Sequence, residues 1–196
     1  MKICVFCSSI DDLETEFVSS AEALGRWIGA QGYGLVWGGC NVGLMNVMGE
    51  SVRQAGGTTH AIVPRFMQEK GLVFESADEV ELVDSMHERK QRMRQAADGF
   101  VALPGGVGTW EEFFEVLALK KLKRLEAPLV LMNTRNYYDP LLTQMRQSLD
   151  DRFSPSDLRE YFAVAANVED AAAVLQRRDA KPSDSEVGVP APESRG

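Results

Sequence analysis

Short apolar runs rich in Val, Ile and Leu alternate with longer amphipathic stretches from residue 2 to about residue 175. Runs of this kind suit strands buried on both faces, and the stretches between them carry a helical period. The pattern therefore predicts a mostly parallel sheet flanked by helices, an α/β three-layer fold. Strands are expected at 2–7, 34–37, 59–63, 80–83, 100–103, 128–132 and 162–165, and helices at 13–30, 43–55, 86–97, 109–124, 139–150 and 168–177. No internal repeat interrupts this βαβα order.

Right-handed crossovers bring every loop that follows a strand to one edge of such a sheet, where open α/β proteins hold their ligands. Four of these loops stand out: Cys7-Ser8-Ser9, Gly38-Gly39-Cys40-Asn41-Val42-Gly43, residues 84–90, and Pro104-Gly105-Gly106-Val107-Gly108-Thr109-Trp110-Glu111-Glu112. Gly105, Gly106 and Gly108 let backbone amides approach an anion and permit positive φ, which is phosphate-cradle chemistry. With Thr109 as N-cap, the start of the next helix would face the same space. A tight turn without a ligand is the other reading.

Glu112 is ambiguous on local grounds. Thr109-x-x-Glu112 matches a capping box, and Glu111 with Glu112 satisfies the preference for acids in a first helical turn. A carboxylate beside a phosphate cradle can equally orient water or steady positive charge on a ribose ring during glycosidic cleavage. Ser85 and Glu88 form a second capping-box match, which places Arg89 and Lys90 near a helix start. Cations there oppose the helix dipole unless an anion faces them; the alternative is a solvated basic face shared with Arg92 and Arg94. Gly38 to Gly43 match neither the dinucleotide nor the P-loop fingerprint, and read as a compact turn or, with Ser8 and Ser9, as a second pocket wall.

Composition removes several classes of function. The 196 residues suffice for one substantial core, taken as residues 1–177, and the Pro-rich, polar stretch 178–196 is expected to be a disordered tail. A net charge of −8 opposes binding to nucleic acid polymers or to a membrane surface. Three cysteines without paired spacing fit a reducing cytoplasm. Cys4 and Cys7 would face opposite sides of a strand, so they do not make a redox pair. With two histidines and no cluster of ligands, no metal site is expected. Leu44, Met45, Val47 and Met48 read as a buried helix face.

Residues 104–112 fit P-G-G-x-G-T-x-x-E, and Met86-His87-Glu88-Arg89-Lys90 fits M-H-x-R-K. In these motifs and their mutual spacing the chain resembles the LONELY GUY cytokinin-activating phosphoribohydrolases over residues 2 to about 150. The resemblance implies a Rossmann-like homodimer without metal or cofactor. Its substrates would be nucleoside 5′-monophosphates, cytokinin riboside monophosphates or AMP, cleaved to free base and ribose 5-phosphate. Carried over by motif, Arg89 and Glu112 are the catalytic pair. Lys90, Gly105, Gly106, Gly108 and Thr109 then line the phosphate and ribose site, joined as substrate-binding residues by Ser8, Gly38, Gly39, Gly43 and Glu111. Members of the family are often labelled lysine decarboxylases, but nothing in the chain suggests a pyridoxal-phosphate lysine. Cys40, Asn46 and Leu119-Lys120-Lys121-Leu122-Lys123 depart from the family pattern, and Glu69 stands in for a family glutamate in a loop of different length. An AMP-preferring nucleosidase and a non-catalytic nucleotide or cofactor carrier are the competing functions.

Overall fold

The computed structural model describes residues 1–177; the expected tail lies outside the described residues. In chain order the elements are β1 (Lys2–Phe6), α1 (Thr15–Ala30), β2 (Gly34–Trp37), α2 (Gly43–Gln54), β3 (Thr58–Pro64), α3 (Arg65–Gln68), β4 (Glu79–Val83) and α4 (Met86–Ala96). There follow β5 (Gly99–Ala102), α5 (Val107–Lys121), β6 (Leu129–Met132), α6 (Asp139–Asp150), β7 (Ala163–Ala165) and α7 (Val168–Gln176). All seven expected strands and six expected helices are present. The additions are α3 and two 3-10 turns, Thr134–Asn136 and Leu158–Tyr161, each too short to show a hydrophobic period.

The sheet has the order β4-β3-β2-β1-β5-β6-β7, and every pairing is parallel. Alternation along each strand divides the apolar residues between two cores. Ile3, Val5, Leu35, Trp37, Val101 and Val130 face one layer, packed with Leu24, Ile28, Met48, Val52 and Leu175 of α1, α2 and α7. Cys4, Phe6, Val36, Phe100 and Leu131 face the other, with Met93, Phe113, Leu117 and Met145 of α4, α5 and α6. Cys4 and Cys7 accordingly sit in opposite cores, as the strand period requires, and all three cysteines are free and buried.

This strand order fixes where a ligand can enter. The chain runs from β1 outward to β4, then returns to the other side of β1 as β5. The loops after β1 and β5 therefore diverge and leave a crevice between them at the C-terminal edge. Val5 pairs with Val101 and Phe6 with Ala102, so Cys7 to Ser9 and Pro104 to Gly108 leave the sheet side by side.

Candidate active site

A cleft of about 300 Å³ occupies that crevice, lined by Cys7 to Ile10, Met45, Met67, Met86, Arg89, Gly106 to Thr109, and Glu112. Its floor is the first turn of α5. The helix begins at Val107, with Gly106 as N-cap, so Thr109 is not the cap but the third helical residue. The amides of residues 107–109 have no intrahelical carbonyl to meet, and a glycine N-cap brings no side chain to satisfy them. They are donors for an anion at the positive end of a 15-residue helix.

None of Gly105, Gly106 and Gly108 has positive φ, contrary to the expectation from sequence. Glycine is needed at position 105 for close approach: a Cβ there would overlap Thr109 Oγ1 and stand 2.8 Å from its Cβ. Gly106 and Gly108 have open space where a Cβ would be, which leaves their peptide groups accessible from the cleft.

Moving the helix start to Val107 also removes the capping-box reading of Glu112. A capping-box glutamate reaches back to the N-cap from the third helical position, which here is Thr109. Glu112 lies a turn beyond, is 7% exposed, and lines the cleft. Burial is the largest influence on its acidity and raises it from the ordinary 4.5 to about 7, with Arg89 as the main opposing influence.

Arg89 is 4% exposed and belongs to the first turn of α4. Its backbone is placed by the predicted cap, since Ser85 Oγ accepts from Glu88 N at 3.1 Å; Glu88 reaches Asp84 N at 3.0 Å rather than the Ser85 amide of a regular capping box. Among the described residues the guanidinium meets soft partners, Met67 Sδ at 3.7 Å and Met86 Sδ at 3.8 Å from Nη1. Its buried Nε has no hydrogen-bond partner among the described residues. Leaving a buried guanidinium donor unpaired costs on the order of 1–3 kcal/mol, so this side chain is held ready for an anionic or oxygen-rich ligand.

Lys90 points elsewhere. Its Nζ pairs with Glu111 and with Glu115 at 3.4 Å, and the Glu111 contact is the main reason its pKa is raised. It lines a narrow gap on the other side of Glu112 rather than the open cleft. The second glycine loop is a support. Gly39 and Gly43 have φ of +62° and +60°; Met45 N donates to Ser8 O at 3.2 Å, and Gly43 N to Asp11 Oδ1 at 2.9 Å, so the loop carries the Ser8 to Ile10 segment. Ser8 lines the cleft and accepts from Ile10 N at 3.1 Å. Glu69 is exposed at the end of α3, away from the cleft.

Met45, Met67 and Met86 were not anticipated as cleft residues. Met45 is 9% exposed and does belong to the buried face of α2, but it reaches the cleft through its position at the helix start. Met67 sits on α3, whose four residues carry no periodic signal. Met86, first in M-H-x-R-K, was the one with a motif to mark it.

A family model described as possible lysine decarboxylase matches residues 45–175. A cytokinin riboside 5′-monophosphate phosphoribohydrolase of Arabidopsis thaliana is 37% identical over 169 residues, 86% of this chain and 74% of the relative. One from Rhodococcoides fascians is 35% identical over 175 residues, 89% of this chain and 88% of the relative. The chain belongs to the LONELY GUY family. Its fold is shared with the molybdenum cofactor carrier protein of Chlamydomonas reinhardtii, at a TM-score of 0.69 and 26% identity, covering 92% of this chain and 98% of the carrier.

One glycine of this LONELY GUY chain has a role that the sequence does not reveal. A Cβ on Gly38 would overlap Arg89 Nη2 and stand 2.8 Å from Cζ and 3.2 Å from Met45 Sδ. Gly38 is the seat of the guanidinium. Gly38→Ala is expected to fold, because the end of a flexible side chain can move, yet to lose activity by roughly a hundredfold as Arg89 is displaced. Turnover alongside a melting curve checks this; normal turnover would show that Arg89 needs no such seat.

Proposed function

We propose that the protein hydrolyses the N-glycosidic bond of cytokinin riboside 5′-monophosphates, of AMP, or of both. Water adds to C1′ as the C1′–N bond breaks, giving free base, which takes up a proton, and ribose 5-phosphate. The observation that carries this reading is that one cleft is lined by both a buried carboxylate, Glu112, and a buried, underpartnered guanidinium, Arg89, beside the free amides of α5. The amides take the phosphate. Glu112 as carboxylate orients the ribose or the attacking water and stabilises the oxocarbenium-like centre, and Arg89 steadies the charge of Glu112 and fixes the phosphoribosyl group.

Among the described residues no lysine lines the cleft, so a lysine Schiff base with pyridoxal phosphate has no support. Among the described residues no group of three or more His, Cys, Asp and Glu could hold a metal ion. None of the described helices is long and apolar enough to cross a membrane, and three buried free cysteines suit a cytoplasmic enzyme.

Incubation with AMP and with isopentenyladenosine monophosphate, followed by measurement of free base and ribose 5-phosphate, tests the reading. Release from one substrate or both is expected. The likeness to the molybdenum cofactor carrier favours a second reading, a carrier on the same fold. Tight nucleotide binding without release from either substrate would establish the carrier instead.

We also assign the protein a homodimeric state. Val107, Trp110, Phe114 and Leu122 expose 78%, 41%, 38% and 67% of their surface along α5 and just past its end, and Val107 also borders the cleft. An apolar stripe at helical spacing suits a self-complementary contact. The wild type is expected to elute at twice the chain mass and Trp110→Glu at the monomer mass in size-exclusion chromatography with light scattering.

A further inference from the structure

Glu112 separates two different spaces. On one side is the open cleft; on the other is a narrow gap with no room for a water molecule, lined by Phe6, Lys90, Arg94, Glu115 and Val116. The charges around that gap form a ladder between α4 and α5. Lys90 Nζ bridges Glu111 and Glu115, and Arg94 Nη1 approaches Glu115 Oε1 at 2.7 Å. The side chains of Lys90, Arg94 and Glu115 are only 16%, 19% and 27% exposed. An ion pair on an open surface contributes little, but this cluster adjoins a dry space where its field is weakly screened.

The groups facing Glu112 can be counted element by element. Among the described residues, β1 and the loop after it contribute Cys4 and Cys7, thiols that burial keeps neutral. From α4 come Arg89, Lys90 and Arg94; from α5 itself come Glu111 and Glu115. Three cations thus stand against two carboxylates, and the ionised Glu112 brings the cluster to neutrality. Glu115 is the member that touches both Lys90 and Arg94.

We propose that Glu115 is a positioning residue for Glu112, holding Lys90 and Arg94 in place on the dry side of the catalytic carboxylate and so setting the field in which it works. The proposal rests on the reading of Glu112 as the catalytic carboxylate. Glu115 touches no part of the cleft, and neither motif of the family match includes it. Its negative charge opposes ionisation of Glu112, whereas Lys90 favours it. In Glu115→Gln the amide oxygen still accepts from Lys90 and Arg94, so both cations stay in place while the opposing negative charge is gone, and the carboxylate form of Glu112 is strengthened.

The test is the pH dependence of kcat with saturating AMP. In Glu115→Gln the acid limb is expected to move down by about one pH unit relative to wild type, while Glu115→Asp keeps the wild-type limb. The substrate phosphate titrates in the same range, but equally for all three proteins. A purely structural Glu115 would lower thermal stability in either variant and leave the limb in place. If turnover of Glu115→Gln is too slow to follow, the Glu112 titration is read instead from the pH dependence of the Tm difference between E115Q and E112Q/E115Q. That midpoint is compared with the one from wild type against E112Q, and an unshifted midpoint overturns the proposal. Retained turnover in Glu112→Gln would remove the catalytic reading itself. An inactive Glu112→Gln together with an unmoved limb in Glu115→Gln would remove this proposal alone.

Discussion

Glu112→Gln is expected to yield a folded protein whose release of base from AMP or isopentenyladenosine monophosphate is reduced by about a thousandfold or more. Among the described residues Glu112 is the one carboxylate lining the cleft, and none of them is placed there to take over its charge. The substitution keeps the volume and hydrogen-bonding shape of the side chain while removing the anion that steadies the oxocarbenium-like centre. On the proposed mechanism the carboxylate form is the working one, and burial holds the Glu112 pKa at about 7. Turnover should therefore fall as pH drops through 7, a limb absent from the residual activity of Glu112→Gln. Near-normal turnover in the variant would end the assignment.

The same substitution is expected to raise stability in alkaline solution. The Glu112 pKa is higher in the folded protein, about 7, than the ordinary 4.5 it returns to on unfolding. The folded state thus binds the proton more tightly, and this contribution to stability is complete below pH 4.5 and lost as pH rises through 7. Over that interval the loss is up to about 3 kcal/mol for this nearly fully buried group. Glu112→Gln escapes it. Calorimetry should find the variant more stable than wild type at pH 8 and the two alike near pH 4.5, a pattern expected where a functional site keeps a destabilising charge.

How far the site can be read from sequence follows from which signals are local. Apolar runs located every strand of the sheet, and the crossover rule then placed the loops after β1 and β5 together without any knowledge of side chains. The ambiguity at Glu112 turned on where α5 begins. Thr109 has the chemistry of an N-cap, but a Thr109 side chain packed against Gly105 allows the helix to start at Val107, and no propensity encodes that contact. Roles carried by distant residues were also hidden. Gly38 seats Arg89, 51 positions later (89 − 38 = 51), and Lys90 turns to Glu111 and Glu115 rather than to the cleft; both depend on how α4 packs across the sheet edge.

Arg89→Met is expected to reduce turnover by about a thousandfold while leaving the melting temperature unchanged or higher. The reason lies in the mismatch between the side chain and its surroundings. A guanidinium that is 4% exposed, with Nε unpartnered and Nη1 on two thioether sulfurs, is tolerated by the fold rather than required by it. Methionine fills similar volume among Met45, Met67 and Met86 without a charge to desolvate. What the variant loses is ligand-dependent. A product at a hundred times its dissociation constant stabilises a folded protein by about 2.7 kcal/mol, so ribose 5-phosphate should raise the wild-type melting temperature clearly and that of Arg89→Met much less. Arg89→Lys should not restore turnover, because one ammonium cannot grip the phosphoribosyl group as a planar fork of donors does. A lysine variant with near-wild-type turnover would mean that Arg89 supplies only positive charge, and the bidentate role assigned to it would be lost.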